Sequence, residues 1–146
     1  MKPELAGAAN NVVHLRTRSP VQGLHVLAEW YGCPRSEAIR RAERLRQTCV
    51  QLVRETGGVV VAATFQQFEP DGVVGALVMT DAHIAIHAWP ETGFVAVDFY
   101  ACHLDGGSRA RVSAFFAKLR DVLRPVWVHS TEVNRGIGDG ATPRSP

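Results

Sequence analysis

The stretch from Asp81 to Cys102, DAHIAIHAWPETGFVAVDFYAC, constrains the fold of this chain more than any other. His83 to His87 alternates as His-Ile-Ala-Ile-His, which sets Ile84 and Ile86 on one face of a strand and His83, Ala85 and His87 on the other. Pro90-Glu91-Thr92-Gly93 is a turn cluster in which Gly93 can take a positive φ. From Phe94 the alternation resumes, with Val95, Val97 and Phe99 on one face and Ala96, Asp98, Tyr100 and Cys102 on the other. A hairpin closed at that turn pairs residue i with roughly residue 183 − i. Cys102 then lies opposite Asp81 and beside Ala82, with His87 on the same face as the thiol. Asp98 is a candidate ion-pair partner for His83 or His87.

The rest of the chain supplies one domain around this hairpin. Its 146 residues, 46% of them hydrophobic, are enough to bury a core without staples. Residues 1–20 and 135–146, rich in Gly, Pro, Ser, Ala and Arg, are expected to be loose tails flanking a domain over 21–134. Val21–Tyr31 suggests a first strand. A helix capped by Ser36 follows, its apolar positions Ile39, Ala42, Leu45, Cys49, Leu52 and Val53 spaced by threes and fours, and Gly57-Gly58 ends it. Val59–Phe65 and Val73–Thr80 are strands on either side of a turn, FEPDG. Ser108 starts a second amphipathic helix that Pro125 stops, and Pro125–Val133 returns as a strand. The order β-α-β-β-β-β-α-β with short turns predicts an α/β two-layer sandwich, an antiparallel sheet with two helices on one face. The other face mixes His83, His87, Asp98, Tyr100 and Cys102 with Ala85 and Ala96, and a sheet-to-sheet homodimer would cover it.

Composition narrows the function. A net charge of +2 is too mild for a nucleic-acid or anionic-membrane partner. The arginines of the first helix (Arg35, Arg40, Arg41, Arg44, Arg46, Arg54) interleave with Glu37, Glu43 and Glu55 and are expected on a solvated face. Three cysteines without a CxxC pair suit reduced thiols in a cytoplasmic protein, Cys33 and Cys49 being core residues. No run of signal-peptide or membrane-span length is present in the sequence. His83 and His87 share a strand face but lack a third ligand of clear spacing, so no metal is expected.

GLHVLAEWYGC (Gly23 to Cys33), FEPDGVVG (Phe68 to Gly75), the hairpin with its HAWPE core, and NRG (Asn134 to Gly136) together resemble the prokaryotic S-adenosylmethionine decarboxylases. These are small pyruvoyl enzymes of polyamine (spermidine) biosynthesis, and the resemblance runs from about Gly23 to Gly136. It implies a proenzyme that cuts its own backbone. A serine hydroxyl attacks the preceding carbonyl, the peptide becomes an ester, and elimination leaves a pyruvoyl group that serves as the electron sink for decarboxylation. By position, His87 matches the histidine that assists processing and Cys102 the cysteine that returns a proton to product. Phe68 and Trp89 match aromatic positions near the substrate's nucleoside, and Glu91 a carboxylate expected on the ribose hydroxyls.

The departures fall at the centre of the motif. The cleavage serine corresponds to Ala82, whose methyl offers neither nucleophile nor leaving group, so a pyruvoyl cannot form there. Asp81 replaces the usual Glu, and Val74 stands where the family has a hydroxyl residue helpful in processing. The resemblance therefore implies a non-processing homologue that binds an S-adenosylmethionine-like ligand, as a homodimer or as a heteromer with an active paralogue. The alternative is a working decarboxylase in which alanine has replaced the serine at position 82.

Overall fold

The computed structural model describes residues 22–102 and 106–136. The expected tail at 1–20 lies outside them, as do residues 137–146 of the tail expected at 135–146, whereas Arg135 and Gly136 of that stretch are strand. The elements run β1 (Gln22–Tyr31), α1 (Glu37–Arg40), α2 (Ala42–Glu55), β2 (Val60–Gln67), β3 (Val73–Met79), β4 (Ala82–Trp89), β5 (Phe94–Cys102), α3 (Gly106–Leu123) and β6 (Trp127–Gly136). They form one antiparallel sheet of order β2-β3-β4-β5-β1-β6, with the helices on one face. The last strand extends through Asn134, Arg135 and Gly136, because all three pair with β1.

The hairpin carries the register that its alternation predicts. Ala82 pairs with Ala101, His83 with Tyr100 and His87 with Ala96. Ile84, Ile86, Val95, Val97, Phe99 and Ala101 face the helices and are buried. A fully buried Ile or Val contributes about 1.5–3 kcal/mol relative to exposure. A slip of one residue would turn this whole set outward, which is why the register is unique. Phe115 of α3 seats on this floor, its ring 5.3 Å from that of Phe99 and 5.8 Å from that of Phe116. Leu45, Cys49, Leu52 and Val53 of α2 complete the core over β2 and β3. Cys33 and Cys49 are buried as expected, and burial pushes their thiols up to about 11 and about 12.

The first helix differs from expectation. Arg41 is extended (φ −116°, ψ 121°), so one predicted helix is two. No proline or glycine lies between Glu37 and Glu55 to break it. The cause is tertiary: the Gln67 side chain donates to the Arg40 carbonyl (2.8 Å) and accepts from the Ala42 N–H (2.8 Å), taking up two backbone groups at the break. Ser36 occupies the N-cap of α1 without a side-chain cap bond, its carbonyl instead accepting from Ile39 and Arg40. Ser108 lies inside α3, two residues past its start, and is not the cap.

Candidate functional site

The residues singled out in the sequence gather at two ends of the β4–β5 hairpin. At the open end, Cys102 donates to the Asp81 carbonyl twice, through its backbone N–H (2.9 Å) and its thiol (3.0 Å). The Asp81 carboxylate is fixed by Arg111 of α3, whose Nη2 donates to Oδ2 at 2.7 Å and to Ser108 Oγ at 3.2 Å. Ala82 bears its methyl on the helix side, beside a cavity of about 10 Å³ that Asp81, Ser108, Arg111 and Val112 also line. The peptide joining Asp81 to Ala82 is thus held by its carbonyl, which accepts from two donors, and the side chain that follows it is a methyl without an oxygen. Burial, reinforced by the Asp81 carboxylate, raises the Cys102 thiol above the usual cysteine range and keeps it protonated at neutral pH.

At the turn end, a groove of about 400 Å³ is lined by Phe68, Val74, His87, Trp89 and Glu91, together with Asp71 and the backbone around Gly72. These are five of the eight positions selected from the sequence. Val74 and His87 are direct cross-strand partners. The His87 ring stacks on Trp89 (5.6 Å between centroids, 22° between planes), and Trp89 stacks on Phe94 (5.3 Å, 23°). Phe68, 52% exposed, stands free on the opposite rim. Gly93 takes φ +66° in the turn, and its carbonyl accepts from Cys33 N–H at 2.9 Å, fastening the turn to the end of β1. A flat apolar ligand with polar edges fits such a groove: aromatic faces for stacking, a carboxylate and an imidazole for orientation.

The two ends do not meet within one chain. Ala82 and His87 are five residues apart on one strand, about 17 Å at the rise of an extended chain. Their alternation also sets Ala82 toward the helices and His87 toward the open sheet face. Asp98 forms no ion pair with His83 or His87; its cross-strand partners are Ala85 and Leu27, which removes the expected pairing. Among the described residues, no group of three His, Cys, Asp or Glu side chains could hold a metal ion, and no helix is long and apolar enough to cross a membrane.

Other residues escaped the sequence reading. Arg35 and Arg40, expected on a solvated face, both reach the Asp71 carboxylate, whose side chain is only 4% exposed. An aspartate beside a proline in a turn reads as turn chemistry, and nothing in the chain order links it to arginines more than thirty residues earlier. His25 is a second: its ring packs against those of His83 (6.4 Å) and Tyr100 (5.9 Å), and its buried Nε2 has no hydrogen-bond partner.

Comparison with known proteins bears on the same residues. The family model for S-adenosylmethionine decarboxylase matches residues 24–136. An S-adenosylmethionine decarboxylase proenzyme of Moorella thermoacetica is 36% identical over 115 residues, 79% of this chain and 88% of that protein. One from Thermotoga maritima is 35% identical over 117 residues, 80% of this chain and 86% of its own. The crystal structure of the adenosylmethionine decarboxylase from Aquifex aeolicus superposes with a TM-score of 0.74 at 28% identity, covering 86% of this chain and 100% of that one. The span of these matches takes in every strand and helix that builds the hairpin and its groove, and the chain belongs to the S-adenosylmethionine decarboxylase family.

Proposed function

We propose that this protein is a family member that does not process itself and acts by binding. The observation that carries the reading is the residue at position 82: an alanine has no oxygen to attack the Asp81 carbonyl, so this chain does not supply the pyruvoyl group of its relatives. Val74, facing His87, lacks the hydroxyl expected to help processing. The groove of Phe68, Trp89 and Glu91 favours retention of an S-adenosylmethionine-like ligand, the aromatic side chains stacking on its base and Glu91 accepting from its ribose hydroxyls. We further propose a cytoplasmic protein with reduced thiols that pairs through its open sheet face, with itself or with an active paralogue. That face presents Leu27, Tyr31, Val78, Trp89, Trp127 and Val133, each at least 36% exposed, and covering these apolar side chains would favour pairing. Pairing is also the way for the two separated clusters to enter one site.

The test is an intact-mass measurement on protein carrying this sequence, with calorimetric titration of S-adenosylmethionine. A single 15.9 kDa chain with saturable binding is expected. Fragments 1–81 and 82–146, the second blocked at its N-terminus by a carbonyl, would overturn the reading. The two donors already aimed at the Asp81 carbonyl favour a second reading, in which the same scaffold with serine at position 82 is a working decarboxylase.

A further inference from the structure

Two features of the molecule are unexplained by the ligand groove taken alone: a helix interrupted where its sequence gives no reason, and a buried carboxylate held by two arginines on the turn that forms the groove's rim. They are one structure. Gln67, the last residue of β2, reaches the helix break with its carboxamide, donating to the Arg40 carbonyl and accepting from Ala42 N–H, both at 2.8 Å. The same Nε2 lies 3.1 Å from the Phe68 carbonyl and 3.2 Å from that of Gly72. Four residues on, Asp71 accepts from Arg35 and from Arg40 Nε (3.3 Å), so one residue ahead of α1 and the last residue of α1 hold the far side of the turn. Phe68 N–H donates to Gly72 O at 2.9 Å and closes the loop between these anchors. Phe68 itself makes no ring contact with the aromatic residues opposite, and its side chain is half exposed. Its position over the groove is therefore set by the backbone of the turn.

We infer that Asp71, with Gln67, is a positioning residue for the groove: the break between α1 and α2 is the socket in which the 67–72 turn is clamped, and the clamp holds Phe68 opposite Trp89. The inference rests on the proposed use of the groove as a ligand site. A preformed aromatic rim spares a ligand the ordering of a free loop, and losing the clamp weakens binding through Phe68; Asp71 also lines the groove, and the double variant separates that direct contribution from the clamp. Asp71→Asn keeps the shape and removes the charge that both arginines engage. Arg35→Gln, on a side chain 57% exposed, is a milder variant that leaves Arg40 on Asp71.

The experiment has two arms. In the first, amide hydrogen exchange of Phe68 is compared with that of Leu77 in the core. Both variants are expected to speed exchange at Phe68 and leave Leu77 unchanged. Unchanged protection at Phe68 overturns the clamp, whether or not any ligand binds. In the second, S-adenosylmethionine is titrated by calorimetry into the wild type, Asp71→Asn, Phe68→Ala and the double variant. Asp71→Asn is expected to weaken binding about tenfold, the upper range of one aromatic stacking contact. The double variant should bind no more weakly than Phe68→Ala alone, because a positioning residue has nothing left to position. Additive losses overturn the inference. A wild type that does not bind S-adenosylmethionine removes the ligand assigned to the groove, and the exchange arm still decides the clamp.

Discussion

Restoring one oxygen atom is the sharpest perturbation this molecule offers. Ala82→Ser places a hydroxyl next to the Asp81 carbonyl carbon, where attack would turn the peptide into an ester. The carbonyl oxygen already accepts from Cys102 N–H at 2.9 Å and Cys102 Sγ at 3.0 Å, so the charge that develops there is met by donors that need no rearrangement. Removing one such donor typically costs ~10²–10³ in rate. A thiol is a weak donor, which argues for the lower figure, so adding Cys102→Ala to Ala82→Ser should slow cleavage about 10²-fold. The cavity beside Ala82, about 10 Å³, is close to the size of one water-sized sphere, so the hydroxyl enters without displacing the core. Proton transfer is the weaker half. His87 and Val74 lie about 17 Å from position 82 in the same chain, so on the proposed pairing their help comes from a second copy. Ala82→Ser should therefore process slowly and faster with rising protein concentration, and Val74→Ser in addition should give about 10²-fold, the low end for a positioned acid or base. The assay is intact mass over time, following fragments 1–81 and 82–146. The reasoning fails if the Ala82→Ser/Val74→Ser protein stays whole. It fails equally if cleavage is indifferent to Cys102→Ala and His87→Ala.

Other perturbations test other parts of the structure. Phe115→Ala removes a ring with no exposed surface and should cost about 3–5 kcal/mol of stability, read from urea midpoints at constant m. Gly75→Ala drives a methyl into the Phe65 ring and should lower the melting temperature, whereas Gly57→Ala has no such clash and should lower it only through its positive φ. The arginines beside Asp71 hold its carboxyl below the usual carboxylate range, so its contribution to stability is complete above about pH 4 and is lost as pH falls through the depressed value. The urea-midpoint gap between wild type and Asp71→Asn should accordingly close in that acid window and stay constant from pH 5 to 7. Maleimide should label Cys102 slowly at neutral pH and faster above the ordinary thiol range, while Cys33 and Cys49 stay unlabelled until the protein unfolds, as mass spectrometry can count.

The hairpin was legible from local pattern alone. Side-chain alternation has a period of two and the turn has one place to sit, so the pairing of Ala82 with Ala101 and of His87 with Ala96 follows from local information alone. The family signature is equally local, and it located Phe68, Val74, His87, Trp89 and Glu91, which the fold then gathers around one groove. Tertiary structure decided the rest, because the forces concerned act between residues far apart in the chain. Gln67 breaks a helix 25 residues before it, and Asp71 gathers two arginines that charge pattern alone assigned to solvent. The distance between Ala82 and His87 was likewise hidden in a motif written as six consecutive residues. A strand rises about 3.4 Å per residue, so neighbours in a motif become opposite ends of a sheet.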